Sequence, residues 1–243
     1  MSVCQLNRYA QIHEKNPREI VMLRGKGCQW RRCRFCDYHL DSSPDQAAND
    51  RLNQEQLAKI TGRYHKLEVI NSGSFVDLSA ETLSAIRRTC LEQAITEVHF
   101  ECHWMHRDAI ASLRNWFAQA GLTVKIKIGV ETFDAVFRES YLDKGIDASP
   151  AEIAAYFDEV CLLQGLAGQT VCSMLKDIAI GLAHFERVCV NIMQANAKPI
   201  KPDANVIAQF VQHILPIYAP DPRVDILLEN TAFGVGGVLT HAQ

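Results

Sequence analysis

Short apolar runs rich in β-branched residues alternate along the chain with longer stretches in which apolar positions recur every three or four residues. The first pattern predicts strands at 18–24, 67–71, 96–101, 122–129, 159–163, 187–193 and 223–228. The second predicts helices at 54–61, 79–94, 106–120, 132–144, from 150 onward, at 170–184 and at 202–215. Local signals agree with these bounds. Asn53 and Ser79 stand where helix caps belong, and Leu83, Ile86 and Cys90 form the apolar stripe of 79–94. Gly121 and Gly145 stand where helices stop, and Pro150 opens the next one with Glu152 in its first turn. Within 122–129, Val124, Ile126 and Ile128 alternate with Lys125 and Lys127, the pattern of a strand with one semi-exposed face. The polar tract 41–53 has the least ordered composition.

Strand, loop and helix repeat about six times, which predicts βα units and a mainly parallel sheet. Six repeats are too few for a complete eight-fold barrel. The expected fold is an α/β partial (β/α)6 TIM-like barrel, with a doubly wound sheet as the structural alternative. The 243 residues read as a single domain, with a core at 18–193 and a C-terminal extension at 194–243. Gly234-Val235-Gly236-Gly237 fits no phosphate-loop spacing and reads as a tail or a rim loop.

Composition changes this picture at one point. Hydrophobic residues are 48% and charged residues 22%, an ordinary globular balance. A net charge of −3 argues against a broad nucleic-acid footprint. Nine cysteines are unusual, and the number is odd. Cys4, Asn7 and Arg8 interrupt any secretory apolar segment, and no apolar run approaches the roughly 18 residues of a membrane span. The expectation is a reduced, cytoplasmic protein with no membrane partner, in which some thiols ligate metal.

The metal candidates lie together just after the first strand, in Gly25-Lys26-Gly27-Cys28-Gln29-Trp30-Arg31-Arg32-Cys33-Arg34-Phe35-Cys36. Three thiolates at C-x4-C-x2-C spacing can bind three irons of a [4Fe–4S] cluster and leave the fourth open. Lys26, Arg31, Arg32 and Arg34 offset the negative charge. The same residues with His39 could instead hold one zinc ion, making the chain a zinc-binding interaction module. Cys4, Cys90, Cys102, Cys161, Cys172 and Cys189 are scattered and read mostly as small buried hydrophobes.

The cysteine loop resembles that of the radical S-adenosylmethionine (radical SAM) superfamily. Cys33, Cys36 and the aromatic Phe35 match its usual pattern, while four residues between Cys28 and Cys33 replace the usual three. Asn71-Ser72-Gly73-Ser74 stands where that family grips the methionyl amine of the cofactor, here without the usual acid. Gly129-Val130-Glu131-Thr132, with Lys144-Gly145-Ile146, resembles the segment that reaches the cofactor ribose. Gln164-Gly165-Leu166-Ala167-Gly168-Gln169-Thr170 resembles the loop after the fifth strand, with Ala167 in place of proline.

The resemblance implies a [4Fe–4S] cluster and S-adenosyl-L-methionine as cofactors, and a 5′-deoxyadenosyl radical that abstracts hydrogen from a substrate. It makes Cys28, Cys33 and Cys36 the catalytic metal ligands. Phe35, Tyr38, Ser72, Gly73, Ser74, Glu131 and Asn191 become cofactor-binding candidates, with His39 and Gln194 nearby. An electron donor such as flavodoxin or ferredoxin is implied too. Substrate groups belong on the same rim, where Glu101, His103 and Trp104 end the third strand and Asp225, Glu229 and Asn230 surround the last. Cys102 sits at that rim. The chain leaves little room for an RNA-binding domain, so a small molecule is favoured over a tRNA base or a peptide. Cys36-Asp37-Tyr38-His39 resembles radical SAM proteins of queuosine-precursor salvage. That likeness implies a 7-deazapurine substrate and lyase chemistry, in which the bond between a cyclopentene-diol and an aminomethyl-deazaguanine is cleaved.

Overall fold

The computed structural model describes residues 7–228. Eight strands form one sheet in sequence order: β1 (Tyr9–Ile12), β2 (Arg18–Leu23), β3 (Lys66–Asn71), β4 (Glu97–Glu101), β5 (Thr123–Glu131), β6 (Glu159–Gln164), β7 (Arg187–Ile192) and β8 (Val224–Leu227). From β2 to β8 every pairing is parallel, while β1 runs antiparallel along the edge of β2. The helices are α1 (Gln46–Leu57), α2 (Ala80–Glu92), α3 (Ile110–Ala118), α4 (Pro150–Ala154), α5 (Val171–His184), α6 (Ala204–His213) and α7 (Leu215–Tyr218). The sheet curls into the expected partial barrel.

Strand alternation divides the molecule into two chemistries. Val21, Leu23, Val69, Val98, Phe100, Ile126, Ile128, Val160, Leu162, Val188 and Val190 are buried in one apolar core with residues of α2, α3, α5 and α6. The opposite strand positions carry Arg18, Glu68, His99, Lys127, Glu159 and Asp225, all buried as well. The barrel interior therefore carries charges beside a small apolar cluster of Ile20, Met22 and Ile70, and burial obliges those charges to pair. Lys127 belongs to this interior, so the face of β5 predicted to be semi-exposed is turned inward at that position.

Three local expectations are corrected. The tract 41–53 is largely ordered: Asp45 caps α1 by accepting the Ala48 amide at 3.0 Å, and Asn53 lies inside the helix. Asn53 accepts from the Arg24 amide at 2.8 Å and donates to the Arg24 carbonyl at 2.9 Å, so a polar face of α1 fixes the end of β2. The helix expected at 132–144 is only a π-turn at Phe137–Tyr141. There Glu139 accepts the Gly145 and Ile146 amides at 2.7 and 3.1 Å, and Arg138 donates to the Ile146 carbonyl at 2.7 Å, which folds the segment back on itself. Strand β1 lies outside every predicted element. Among the described residues no helix is long and apolar enough to cross a membrane.

Candidate active site

The loop after β2 is held from both ends. The Lys26 amide donates to the Asp77 carbonyl at 3.1 Å, and the Cys28 amide donates to the Ser72 carbonyl at 2.9 Å. A Cβ on Gly73 would stand 2.9 Å from Cys28 N and overlap Asp77 Oδ2, so only glycine lets the loop after β3 approach this closely. At the far end, Arg34 N–H donates to Leu142 at 3.0 Å and the Asn196 side chain donates to the Phe35 carbonyl at 2.6 Å. Phe35 is buried with Leu142, Leu163, Leu166, Met193 and Ile200, and Cys33 and Cys36 pack against this small core.

Trp30 ties the middle of the loop to the segment after β5. Its indole N–H donates to the Asp143 carbonyl at 2.8 Å, and its ring stacks on His103 at 5.5 Å. Gly145 has φ +70°, and a Cβ there would overlap the Trp30 ring. Gly145→Ala should therefore cost at least about 1 kcal/mol, from the left-handed backbone alone. Thermal melting should show a drop of several degrees, with the Trp30 fluorescence perturbed. An unchanged melt and emission would contradict this packing.

Cys28, Cys33 and Cys36 are free thiols that line one cavity of about 200 Å³ inside the strand ends. Burial raises the Cys33 thiol and pushes Cys36 up to about 12. Metal ligation, which deprotonates them, should release protons. Among the described residues no group of three or more His, Cys, Asp or Glu converges as a single-ion site requires. His39 does not line the cavity that Cys28, Cys33 and Cys36 share, so the zinc arrangement lacks its fourth ligand, while three thiols on one cavity suit a [4Fe–4S] cluster.

Two orphaned oxygens make the cavity suitable for S-adenosylmethionine. Asn71 Oδ1 and Glu131 Oε2 are buried without partners, and both residues line the cavity. Buried acceptors of this kind call for donors, which an ammonium or ribose hydroxyls supply. The other oxygen of Glu131 accepts from Lys144 Nζ at 2.8 Å. Burial opposes the charge on Lys144, but Glu131 outweighs it and holds the ammonium charged.

The deeper interior is an ionic network. Glu68 pairs with both Arg18 and Lys127. Asp225 lies 3.7 Å from Arg18 and 3.3 Å from Arg187. His99 reaches Glu159 at 3.2 Å and Glu97 at 3.0 Å. Burial pushes Glu68 up, yet Lys127 and Arg18 dominate and hold it well below the usual carboxylate range. Glu101, the neighbour of Lys127 across the β4–β5 pairing, behaves differently. No described side chain bonds its carboxylate, and burial raises it to about 7 despite Lys127.

Of the residues singled out in the sequence, Cys28, Cys33, Phe35, Cys36, Tyr38, Ser72, Gly73, Glu101, Cys102, His103, Glu131 and Asn191 line this one cavity. His103 serves as a wall: Nδ1 accepts from the Met105 amide at 3.3 Å and Nε2 donates to the Lys144 carbonyl at 2.9 Å, which uses both nitrogens. Burial and then Lys144 lower its pKa to about 4, so the ring is neutral. Ser74 is placed elsewhere, accepting the His103 amide at 2.9 Å and closing a capping box with Asp77. Trp104 turns outward onto Tyr156 and Phe157 beneath Arg107, and Asp225 is consumed by its arginines. Gln194 donates to Ile192 and Leu228 carbonyls, and neither it nor His39 lines the cavity. Cys172 is exposed, against its expected burial. Cys4, Glu229, Asn230 and the glycines at 234–237 lie outside the described residues. Arg18, Glu68, Lys127, Cys161 and Cys189 line the cavity without having been singled out for it. Their common signal is the in-register alternation of polar positions along neighbouring strands.

No family model matches the chain. An uncharacterised protein of Methanocaldococcus jannaschii is 28% identical over 143 residues, covering 52% of this chain, which spans only 38% of that relative's length. Methylornithine synthase shares the fold at TM-score 0.57 and 12% identity, over 85% of this chain and 63% of its own. The queuine lyase of Clostridium spiroforme, solved with S-adenosylmethionine and queuine bound, is 38% identical at TM-score 0.90. That match covers 96% of this chain and the whole of the other. The chain belongs to the queuine lyase family of radical SAM enzymes.

Proposed function

We propose that this chain, acting as one radical SAM domain, cleaves the carbon–nitrogen bond of queuine and releases 7-aminomethyl-7-deazaguanine. The observation that carries the reading is a single cavity lined at once by Cys28, Cys33 and Cys36 and by the unpartnered carboxylate of Glu101. When bound, the [4Fe–4S] cluster and S-adenosylmethionine supply the 5′-deoxyadenosyl radical.

The protein's own residues bind, orient and enclose. Cys28, Cys33 and Cys36 would hold the cluster, and the Phe35 core fixes the last two thiols. Asn71, with the main chain of Ser72 and Gly73, takes the methionyl amine, while Glu131 takes the ribose. Tyr38 and Asn191 complete that wall. The barrel walls keep water from the radical and hold one C–H bond close to it. Ionised Glu101 accepts the paired N–H groups of the guanine-like edge. The neighbouring Lys127 supports its charge, and the Arg18–Glu68–Lys127 network keeps the wall rigid. A low-potential one-electron protein donor feeds the reaction.

Glu101→Gln tests this assignment. Losing one charge-assisted pair costs about 1.5–3 kcal/mol, or roughly 10–150-fold in kcat/KM, carried mainly in KM. In the parent enzyme kcat/KM should rise with pH through about 7, because only the ionised carboxylate accepts two N–H donors. The Glu101→Gln variant should lose that rise. Unaltered affinity, or an unaltered pH profile, would remove Glu101 from the substrate site.

A further inference from the structure

Three thiols in the cavity, Cys102, Cys161 and Cys189, have no part in holding the cluster, and the last two form a pair. Cys161 on β6 and Cys189 on β7 are direct partners in the parallel register, so their side chains stand side by side on one face of the sheet. Both are buried and both line the cavity that Cys28, Cys33 and Cys36 line. On the β5 side, Cys161 has Gly129 as its register partner, which carries no side chain to cover the sulfur. A Cβ on Gly129 would stand 2.5 Å from Glu131 Oε1 and 3.1 Å from Lys144 Nζ, so the position stays bare. Next to Cys189 in register stands Asp225, already held by Arg18 and Arg187. The pair therefore lines the cavity with Asp225 engaged by its arginines.

We propose that the Cys161–Cys189 pair is a hydrogen-atom source that quenches a carbon radical formed on the substrate in this cavity. The inference rests on the radical cleavage of queuine proposed above. That cleavage releases an amine and leaves the other fragment as a carbon radical one hydrogen atom short of a stable product. A thiol supplies that atom: the S–H bond of Cys161 breaks homolytically, a C–H bond forms, and a thiyl radical remains on Cys161. One electron from a low-potential one-electron reductant and one proton from solvent restore the thiol. Donation of a hydrogen atom needs an intact S–H bond. Cys189 beside it, together with burial, raises the Cys161 thiol well above the usual thiol range, which keeps that bond intact. The three loop cysteines are committed to iron, and Cys102 is buried with its thiol donating to the His103 carbonyl at 3.4 Å. Among the described residues that leaves the strand pair as the thiols available to the cavity.

Thiol hydrogens exchange with solvent, and carbon-bound hydrogens do not. The cluster-loaded enzyme, turned over in D2O with S-adenosylmethionine, reductant and queuine, should place one solvent deuterium in the cyclopentene-derived product for each 5′-deoxyadenosine formed. In Cys161→Ser the labelled product should fall at least tenfold relative to 5′-deoxyadenosine, and in Cys189→Ser by a smaller factor. Product free of solvent deuterium would overturn the proposal while leaving queuine cleavage intact. Full labelling in the Cys161→Ser/Cys189→Ser double variant would do the same. Absence of queuine-dependent 5′-deoxyadenosine in the parent enzyme would instead overturn the proposed function. A readout independent of turnover tests the pairing itself. Treatment of the full chain with a small-molecule disulfide should link Cys161 to Cys189, with loss of two hydrogens on peptide mapping, as their register distance permits. Modification of each as a separate mixed disulfide would overturn the pairing.

Discussion

Cys28→Ala, Cys33→Ala or Cys36→Ala should each reduce 5′-deoxyadenosine formation to the level of the enzyme-free control and leave the purified chain depleted of iron. A cluster held by these three thiolates would have no spare protein ligand to replace a lost one. The three positions should nevertheless differ in stability. Cys36 and Cys33 pack on the Phe35 core, so alanine there also removes buried contacts, whereas Cys28 is held through its backbone amide on Ser72. Cys28→Ala is therefore the cleanest variant: its melting temperature without iron should match that of the parent chain. Normal cofactor cleavage by any of the three would contradict the ligand assignment.

Lys127→Met should be the most damaging substitution away from the loop. Lys127 and Arg18 together hold Glu68 ionised inside the barrel, and Glu101, Glu159 and His99 stand nearby on the same interior face. Removing the ammonium strands part of a buried charge, a loss of about 3–5 kcal/mol. For a chain of this length that is on the order of 10 °C in melting temperature. The sign of its pH dependence follows from Glu68, whose folded pKa is depressed. Its contribution is complete above the unfolded carboxylate pKa of about 4.3 and is lost as pH falls toward the folded value. The deficit of the variant should accordingly be full at neutral pH and shrink below about pH 4, where protonation relieves the stranded carboxylate. Melts recorded at both pH values measure this directly. An equal deficit at both would contradict the pairing.

The contrast between loop and interior explains what the amino-acid order disclosed. Cys28, Cys33 and Cys36 lie within nine residues, so their chemistry is local and their spacing is readable. The outer-face strand residues, such as Val98 and Phe100, read equally well because apolar alternation has one meaning in a βα repeat. The interior was hidden by the same rule. Lys127, Glu68 and His99 alternate with apolar neighbours and look like a solvated face, and only closure of the sheet turns them inward. Tract 41–53 was opaque for a related reason, since α1 packs through Asn49 and Asn53 rather than an apolar stripe. Trp104 shows a further limit. It follows Glu101 by three residues, but a 3₁₀ turn at Trp104–Ala109 swings the indole outside while the carboxylate stays within. Strand β1 is four residues long and pairs on one edge only, too little pattern to separate from a terminus.

The most direct test of the proposed function is one anaerobic incubation. The chain, loaded with iron and sulfide, is given S-adenosylmethionine, a one-electron reductant and queuine, and the products are read by mass spectrometry. The expected products are 5′-deoxyadenosine that depends on queuine and equimolar 7-aminomethyl-7-deazaguanine. Intact queuine beside background 5′-deoxyadenosine, from protein that carries its cluster, would contradict the proposed function.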